Sequence, residues 1–158
     1  IDNFITENGA SGILIESENN IILNNEISNN EYGIELSLTE NITILNNMVI
    51  KNEFYGIFLN SYSNNNNISG NIVADNKEWG IYIDHYCFQN YISGNSFLNN
   101  SRGNLFVNSF SLLNEINEPS SSIKHDSFYP LLLLITLFIA SMFFLGIMMF
   151  KKGSHDFD

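Results

Sequence analysis

One short motif returns along this chain at a nearly constant interval, and that interval restricts the fold more than any other feature. The motif is Asn-x-apolar-x-x-Asn, present as Asn3–Ile5–Asn8, Asn25–Ile27–Asn30, Asn47–Val49–Asn52, Asn71–Val73–Asn76 and Asn95–Phe97–Asn100. Successive copies begin 22, 22, 24 and 24 residues apart. A Gly-Ile-x-apolar motif follows at Gly12, Gly33, Gly56 and Gly80, and Asn104 takes the glycine's place before Leu105 and Val107. A further apolar position, at Ile22, Ile44, Ile68 and Ile92, precedes the Asn motifs by three residues. Self-similarity at a fixed period of this length is the mark of stacked repeats.

Each apolar patch alternates with polar residues, the period of a strand with one buried face. Three such strands per repeat make a triangular coil, and stacked coils make three parallel sheets with strands about 4.8 Å apart. A single coil cannot bury its apolar side chains, but stacking buries them against equivalents above and below. The predicted inward residues on one sheet are Ile13, Ile15, Ile34, Leu36, Ile57, Leu59, Ile81, Ile83, Leu105 and Val107. Asn25, Asn47, Asn71 and Asn95 are expected to stack at a corner, amide on amide, as Asn ladders do where like strands pile up. The structural corner Gly12, Gly33, Gly56, Gly80 and Asn104 is expected to be left-handed, because Gly and Asn enter that region most readily. The Leu-x-x-Leu-x-Leu frame of leucine-rich repeats is absent, and so is the six-residue subperiod of left-handed helices. The expected fold is all-β, a right-handed single-stranded parallel β-helix of about five coils of 22–24 residues, followed by one transmembrane α-helix.

The unit Gly56, Ile57, Leu59, Asn66, Asn67, Ile68, Asn71, Val73, Asn76 resembles the parallel β-helix repeat of NosD-like and pectin-lyase-like surface proteins. The resemblance spans about residues 3–117. It implies a surface solenoid, and it implies three possible roles: glycan binding, carbohydrate-active catalysis, or NosD-like assistance in copper-site maturation.

Composition narrows the partners. The chain carries 17 Asp and Glu against 6 Lys and Arg, a formal charge of -11. Such a surface repels nucleic acid and anionic lipid. Cys87 is the only cysteine, so an internal disulfide and a cysteine-built zinc site are excluded. No cofactor is expected. His85-x-Cys87 is the one His/Cys pair, too few ligands for copper or zinc by itself.

The repeats are assigned to residues 1–117, a stalk to 118–129, a span to 130–150 and a cytoplasmic tail to 151–158. Repeat-like sequence starts at once, so earlier coils are expected upstream. Pro119 is expected to end the sheets, since proline cannot donate to a ladder. Leu131–Phe150 is an uncharged run of 20 residues, long enough to cross a hydrocarbon core as a single C-terminal span. Lys151 and Lys152 after it point to a cytoplasmic C-terminus, with the repeats extracellular or periplasmic. The sequons at Asn41, Asn67 and Asn99 fit that side of the membrane.

A binding face is expected where outward aromatics stack. Phe58, Tyr82 and Phe106 alternate with the inward residues of one sheet, and Tyr62 and Tyr86 lie just beyond it. Asn60, Asp84 and Asn108 supply polar groups alongside. Flat rings with polar neighbours suit polysaccharide, and a surface protein is the other partner such a face admits. Tyr32, Tyr55 and Trp79 form a second column, expected to pack a corner. Glycosidases need two carboxylates at a set separation. Glu35 and Asp84 stand two coils apart, roughly 10 Å by strand spacing, with no Lys or Arg on that face, so no catalytic residue is assigned.

Overall fold

The computed structural model describes residues 1–125, which form a right-handed parallel β-solenoid of about five coils. Each coil contributes one strand to each of three parallel sheets. Sheet A holds β1 (Phe4–Thr6), β4 (Glu26–Ser28), β7 (Met48–Ile50), β10 (Ile72–Ala74) and β13 (Ser96–Leu98). Sheet B holds β2 (Ser11–Ile15), β5 (Tyr32–Leu36), β8 (Ile57–Leu59), β11 (Trp79–Ile83), β14 (Gly103–Val107) and β16 (Ile123–His125). Sheet C holds β3 (Ile21–Leu23), β6 (Thr43–Leu45), β9 (Asn67–Ser69), β12 (Tyr91–Ser93) and β15 (Glu115–Asn117).

The register follows the repeat. Ile13, Ile34, Ile57, Ile81 and Leu105 are successive vertical partners on sheet B. Ile27, Val49 and Val73 stack inward on sheet A, and Ile22, Ile44, Ile68 and Ile92 on sheet C. All but Ile13 and Ile15 of the expected sheet B set are buried; those two lie on the first coil, where no strand covers them.

Three Asn ladders run along the corners. Asn3, Asn25, Asn47, Asn71 and Asn95 form the first, Asn8, Asn30, Asn52, Asn76 and Asn100 the second, and Asn66, Asn90 and Asn114 the third. In each, the backbone N–H and the side-chain amide of one Asn both donate to Oδ1 of the Asn on the next coil, as Asn71 does to Asn95 at 2.9–3.0 Å. At Asn30, Asn47, Asn71, Asn76, Asn90 and Asn95 the side-chain amide also reaches back to a carbonyl of the previous coil, as from Asn71 Nδ2 to Ile44 O at 3.0 Å. Buried amides are thereby satisfied, which is the condition for keeping them inside. Glu118 ends the first ladder: its Oε1 accepts from Asn95 N at 2.8 Å and from Asn95 Nδ2 at 3.0 Å.

The left-handed residues are not the expected ones. Gly12, Gly33, Gly56, Gly80 and Asn104 are all absent from the positive-φ set. Positive φ falls instead on residues just before the ladder positions, such as Asn24, Asn46, Gly70 and Gly94, and Asn29, Lys51, Asp75 and Asn99. The glycine column exists because side chains from the next coil crowd it. A Cβ on Gly56 would lie 2.6 Å from Val73 Cγ1, 2.7 Å from Gly80 O and 2.8 Å from Asn76 Nδ2. Asn104 tolerates a side chain there because sheet A ends at β13, so no counterpart of Val73 stands above it among the described residues.

The sheets also run further than expected. After Pro119 a short 3₁₀ turn, Ser120–Ser122, leads into β16, which pairs in parallel with β14. Part of the expected stalk is therefore a strand of sheet B. Among the described residues no helix is long and apolar enough to cross a membrane. The run Leu131–Phe150 lies outside the described residues.

Candidate functional site

Sheet B is where the rings gather. Phe58, Tyr82 and Phe106 are vertical partners there, as expected, but Lys124 on β16 stands opposite Phe106, so this face does carry a lysine, brought there by the extra strand after Pro119. The column Tyr32, Tyr55 and Trp79 does not form a separate corner layer. It meshes with the first column into one strip. Tyr55 stacks on Tyr82 at 4.5 Å and 8°, and Tyr82 stacks on Phe106 at 4.8 Å and 10°. Phe58 meets Tyr55 and Tyr82 edge-on, and Tyr32 meets Phe54 and Phe58. Trp79 packs on Phe106 at 5.2 Å, with Lys124 Nζ 5.4 Å from its ring centre. Such contacts stabilise neighbouring strands. They also cover ring faces: Tyr82 has a ring on each side, so the strip turns mainly edges outward.

Carboxylates border this strip. Glu35 accepts from Ser11 Oγ at 2.5 Å and from Asn60 Nδ2 at 3.3 Å. Asp84 accepts from Ser61 Oγ at 3.1 Å and contacts His85 Nδ1 at 2.5 Å. Burial, then the charges of Glu31 and Glu35, raise the Tyr32 hydroxyl above its ordinary pKa. Burial, then Glu78, do the same for Tyr55. Glu78 itself pairs with Arg102.

Past sheet B the chain turns toward sheet C, and a second group of rings stands on that corner. Tyr62 and Tyr86 stack at 5.2 Å and 24°, and Phe110 lies 6.0 Å from Tyr86. His85 joins them at 6.2–6.3 Å from both Tyr86 and Phe110. The sequence reading placed Tyr62 and Tyr86 here but missed Phe110, Ser61 and His85 as members. Phe110 sits one 24-residue step after Tyr86, a signal visible in the spacing. Asn108 turns out to be buried, its Oδ1 accepting from Phe110 N at 3.0 Å. The sequon residues Asn41, Asn67 and Asn99 are all exposed.

Just inside the corner rings runs a column of small polar residues: Thr39, Ser63, Cys87 and Ser111, all buried. Each donates to a backbone carbonyl about one coil earlier: Thr39 to Ser17 O, Ser63 to Leu36 O, Cys87 to Leu59 O and Ser111 to Asp84 O. Cys87 thus fills a hydroxyl position. Burial pushes its thiol up to about 11. His85 meanwhile faces solvent and is tied to Asp84. A shallow groove of about 390 Å³, lined by Asn8, Glu31, Lys51 and Lys77 among others, lies at the corner between sheets A and B.

A right-handed solenoid with laddered corners and one ring-bearing flat side belongs to the parallel β-helix class of extended-surface proteins. The family model for NosD, described as periplasmic copper-binding protein, matches residues 1–122, and the chain belongs to that family. No curated protein matches the chain, and no solved structure matches it.

The described residues do not fit a copper centre. Copper takes thiolate, thioether or imidazole ligands, and here the thiol is inward, protonated and committed to Leu59 O and Asn60 O. Among the described residues no three His, Cys, Asp or Glu side chains form a metal-holding group.

Proposed function

We propose that this chain is a noncatalytic recognition domain that binds a saccharide along the sheet B side of the solenoid. Its rings are Phe58, Tyr82 and Phe106, with Tyr62 and Tyr86 beyond. Asn60 and Asp84 accept or donate hydrogen bonds at the rim. The observation carrying this reading is the gathering of rings beside hydrogen-bonding side chains on one side of the coil stack. Saccharides bring both apolar C–H faces and hydroxyls, so they match rings rimmed by polar groups. The family's periplasmic description accords with a domain outside the cytoplasm. In this reading Leu131–Phe150 holds the domain at a membrane.

The test is retention of the full chain on an immobilised glycan array. The expected result is binding to at least one polysaccharide class, weakened at least tenfold by Tyr82→Leu combined with Asp84→Asn, with the circular dichroism spectrum unchanged. Failure of the parent chain to bind any glycan, together with capture of a surface protein lost in the same variant, would move the reading to protein recognition.

A further inference from the structure

Between sheets B and C the chain makes two left-handed turns, and the first of them departs from the pattern of the other left-handed positions. Left-handed positions elsewhere are held mostly by Asn, Asp or Gly: Asp2, Asn24, Asn46, Gly70 and Gly94 in one column, Asn29, Asp75 and Asn99 with Glu7 and Lys51 in another, and Asn19, Asn41 and Asn65 with Gln89 and Leu113 in a third. Asn, Asp and Gly enter the region at least cost. The fourth column places Leu38 at φ 52°, Tyr62 at φ 63° and Tyr86 at φ 59°. Bulky residues with positive φ are outliers, and such strain gathers at ligand sites. Nor is burial the compensation, since Leu38 is 72% exposed, Tyr62 53%, Tyr86 40% and Phe110 44%. A turn alone could carry Asn here, as most other left-handed positions do, and this is the one column with a bulky side chain at each of its positive-φ positions.

Charge says what this column faces. Segments 36–44, 59–68, 83–92 and 107–116, which make the corner, contain Glu40, Asp84 and Glu115 but no Lys or Arg. Glu35 stands beside it, bonded to Asn60. Apart from His85, which is tied to Asp84, uronate, sulfate or phosphate groups would meet only like charge there. Hydroxyls would meet the carboxylate oxygens of Glu35 and Asp84 and the side chains of Ser61 and Asn60.

Resting on the saccharide reading above, we propose that the ligand's main subsite is this corner column, Tyr62, Tyr86 and Phe110, and that the ligand is a saccharide free of acidic groups. The sugar lies along the coil axis against the exposed rings. Asp84, held by Ser61 and His85, receives its hydroxyls. The sheet B strip, whose ring faces are covered by each other, supports the corner.

The experiment uses the full chain on arrays of neutral, amino and uronic-acid polysaccharides. The parent should bind neutral glycans and bind uronate-rich ones at least tenfold more weakly. The double variant Tyr62→Asn, Tyr86→Asn should lose at least tenfold in affinity while melting at or above the parent's temperature, because Asn relieves the backbone. Tyr91→Ser on sheet C should bind as the parent does. Preference for uronates overturns the charge argument. Full affinity in the double variant, with loss in Tyr82→Leu, moves the site to sheet B and leaves the saccharide reading standing. A parent dimer that the double variant dissociates makes the column a contact between copies, and it overturns the proposal. A parent that binds no glycan removes the saccharide reading and this inference together.

Discussion

Asn71→Ala tests the ladder at its centre. Asn71 is fully buried. Its Nδ2 donates to Ile44 O, Ser69 O and Asn95 Oδ1 at 2.9–3.1 Å. Its Oδ1 accepts from Asn47 N at 2.9 Å and Asn47 Nδ2 at 3.1 Å. Truncation deletes all five contacts and strands the buried N–H of Asn47. A net hydrogen bond is worth about 1 kcal/mol, and an orphaned buried donor costs about 1–3 kcal/mol. Several of the five share one hydrogen or one carbonyl, so they do not add fully. The expected loss is about 4 kcal/mol, large against a typical domain stability of 5–15 kcal/mol. Asn3→Ala is the matched control. It removes the amide at the first coil, where the contacts are a partly buried bond to Asn25 and an exposed one to Ile1. Its expected cost is about 1 kcal/mol or less. Urea titration followed by circular dichroism reads both, with the m-value unchanged. A loss below about 1 kcal/mol for Asn71→Ala, or equal losses at the two positions, would refute the account of a ladder whose rungs depend on both neighbours.

Gly56→Ala should cost about 2–3 kcal/mol by overpacking against Val73 and Gly80, while Gly94→Ala, at φ 63° with nothing within 4 Å, should cost only about 1 kcal/mol; a reversed order in thermal melts contradicts the crowding explanation. Glu118→Ala should cost about 1–3 kcal/mol through the two donors of Asn95, and Glu118→Gln less; hydrogen exchange of the Asn95 amide is the direct readout. Cys87→Ser should be nearly neutral, because Ser63 and Ser111 fill the same column on the adjacent coils and Thr39 one coil further back. With its thiol raised from 9.0 to about 11, the folded chain holds this proton more tightly than the unfolded one. Its contribution is full below pH 9 and is lost as pH rises toward 11. Cys87→Ser should accordingly flatten that part of the stability–pH curve.

The coil interior was legible because a fixed repeat forces like residues into vertical register. Ile34, Ile57 and Ile81 could be aligned from spacing alone. The third Asn ladder was harder to see, since Ile42 interrupts its column and the loop before it changes length between coils. Gly56 was misjudged for a physical reason: a glycine that avoids a clash and a glycine that permits positive φ look identical in sequence. β16 was hidden by Pro119, which sits before the strand and never needs to donate within it. The two aromatic columns were visible separately. Their meshing was not, because it depends on ring orientations that spacing does not encode. Tyr62 and Tyr86 could be placed past the strand, but their backbone strain appears only in three dimensions.

The rungs of the first ladder all point one way, each Asn offering hydrogens toward the C-terminal neighbour. At Glu118 the series meets a side chain that takes hydrogens and, while ionised, has none to pass on. An Asn at that place would leave a ready template on which another molecule's coil could seat, and head-to-tail growth of that kind ends in fibres. Among the described residues the other two ladders end in Asn, at Asn100 and Asn114, so this carboxylate caps one rail of three in a structure whose interior logic has no natural stopping point.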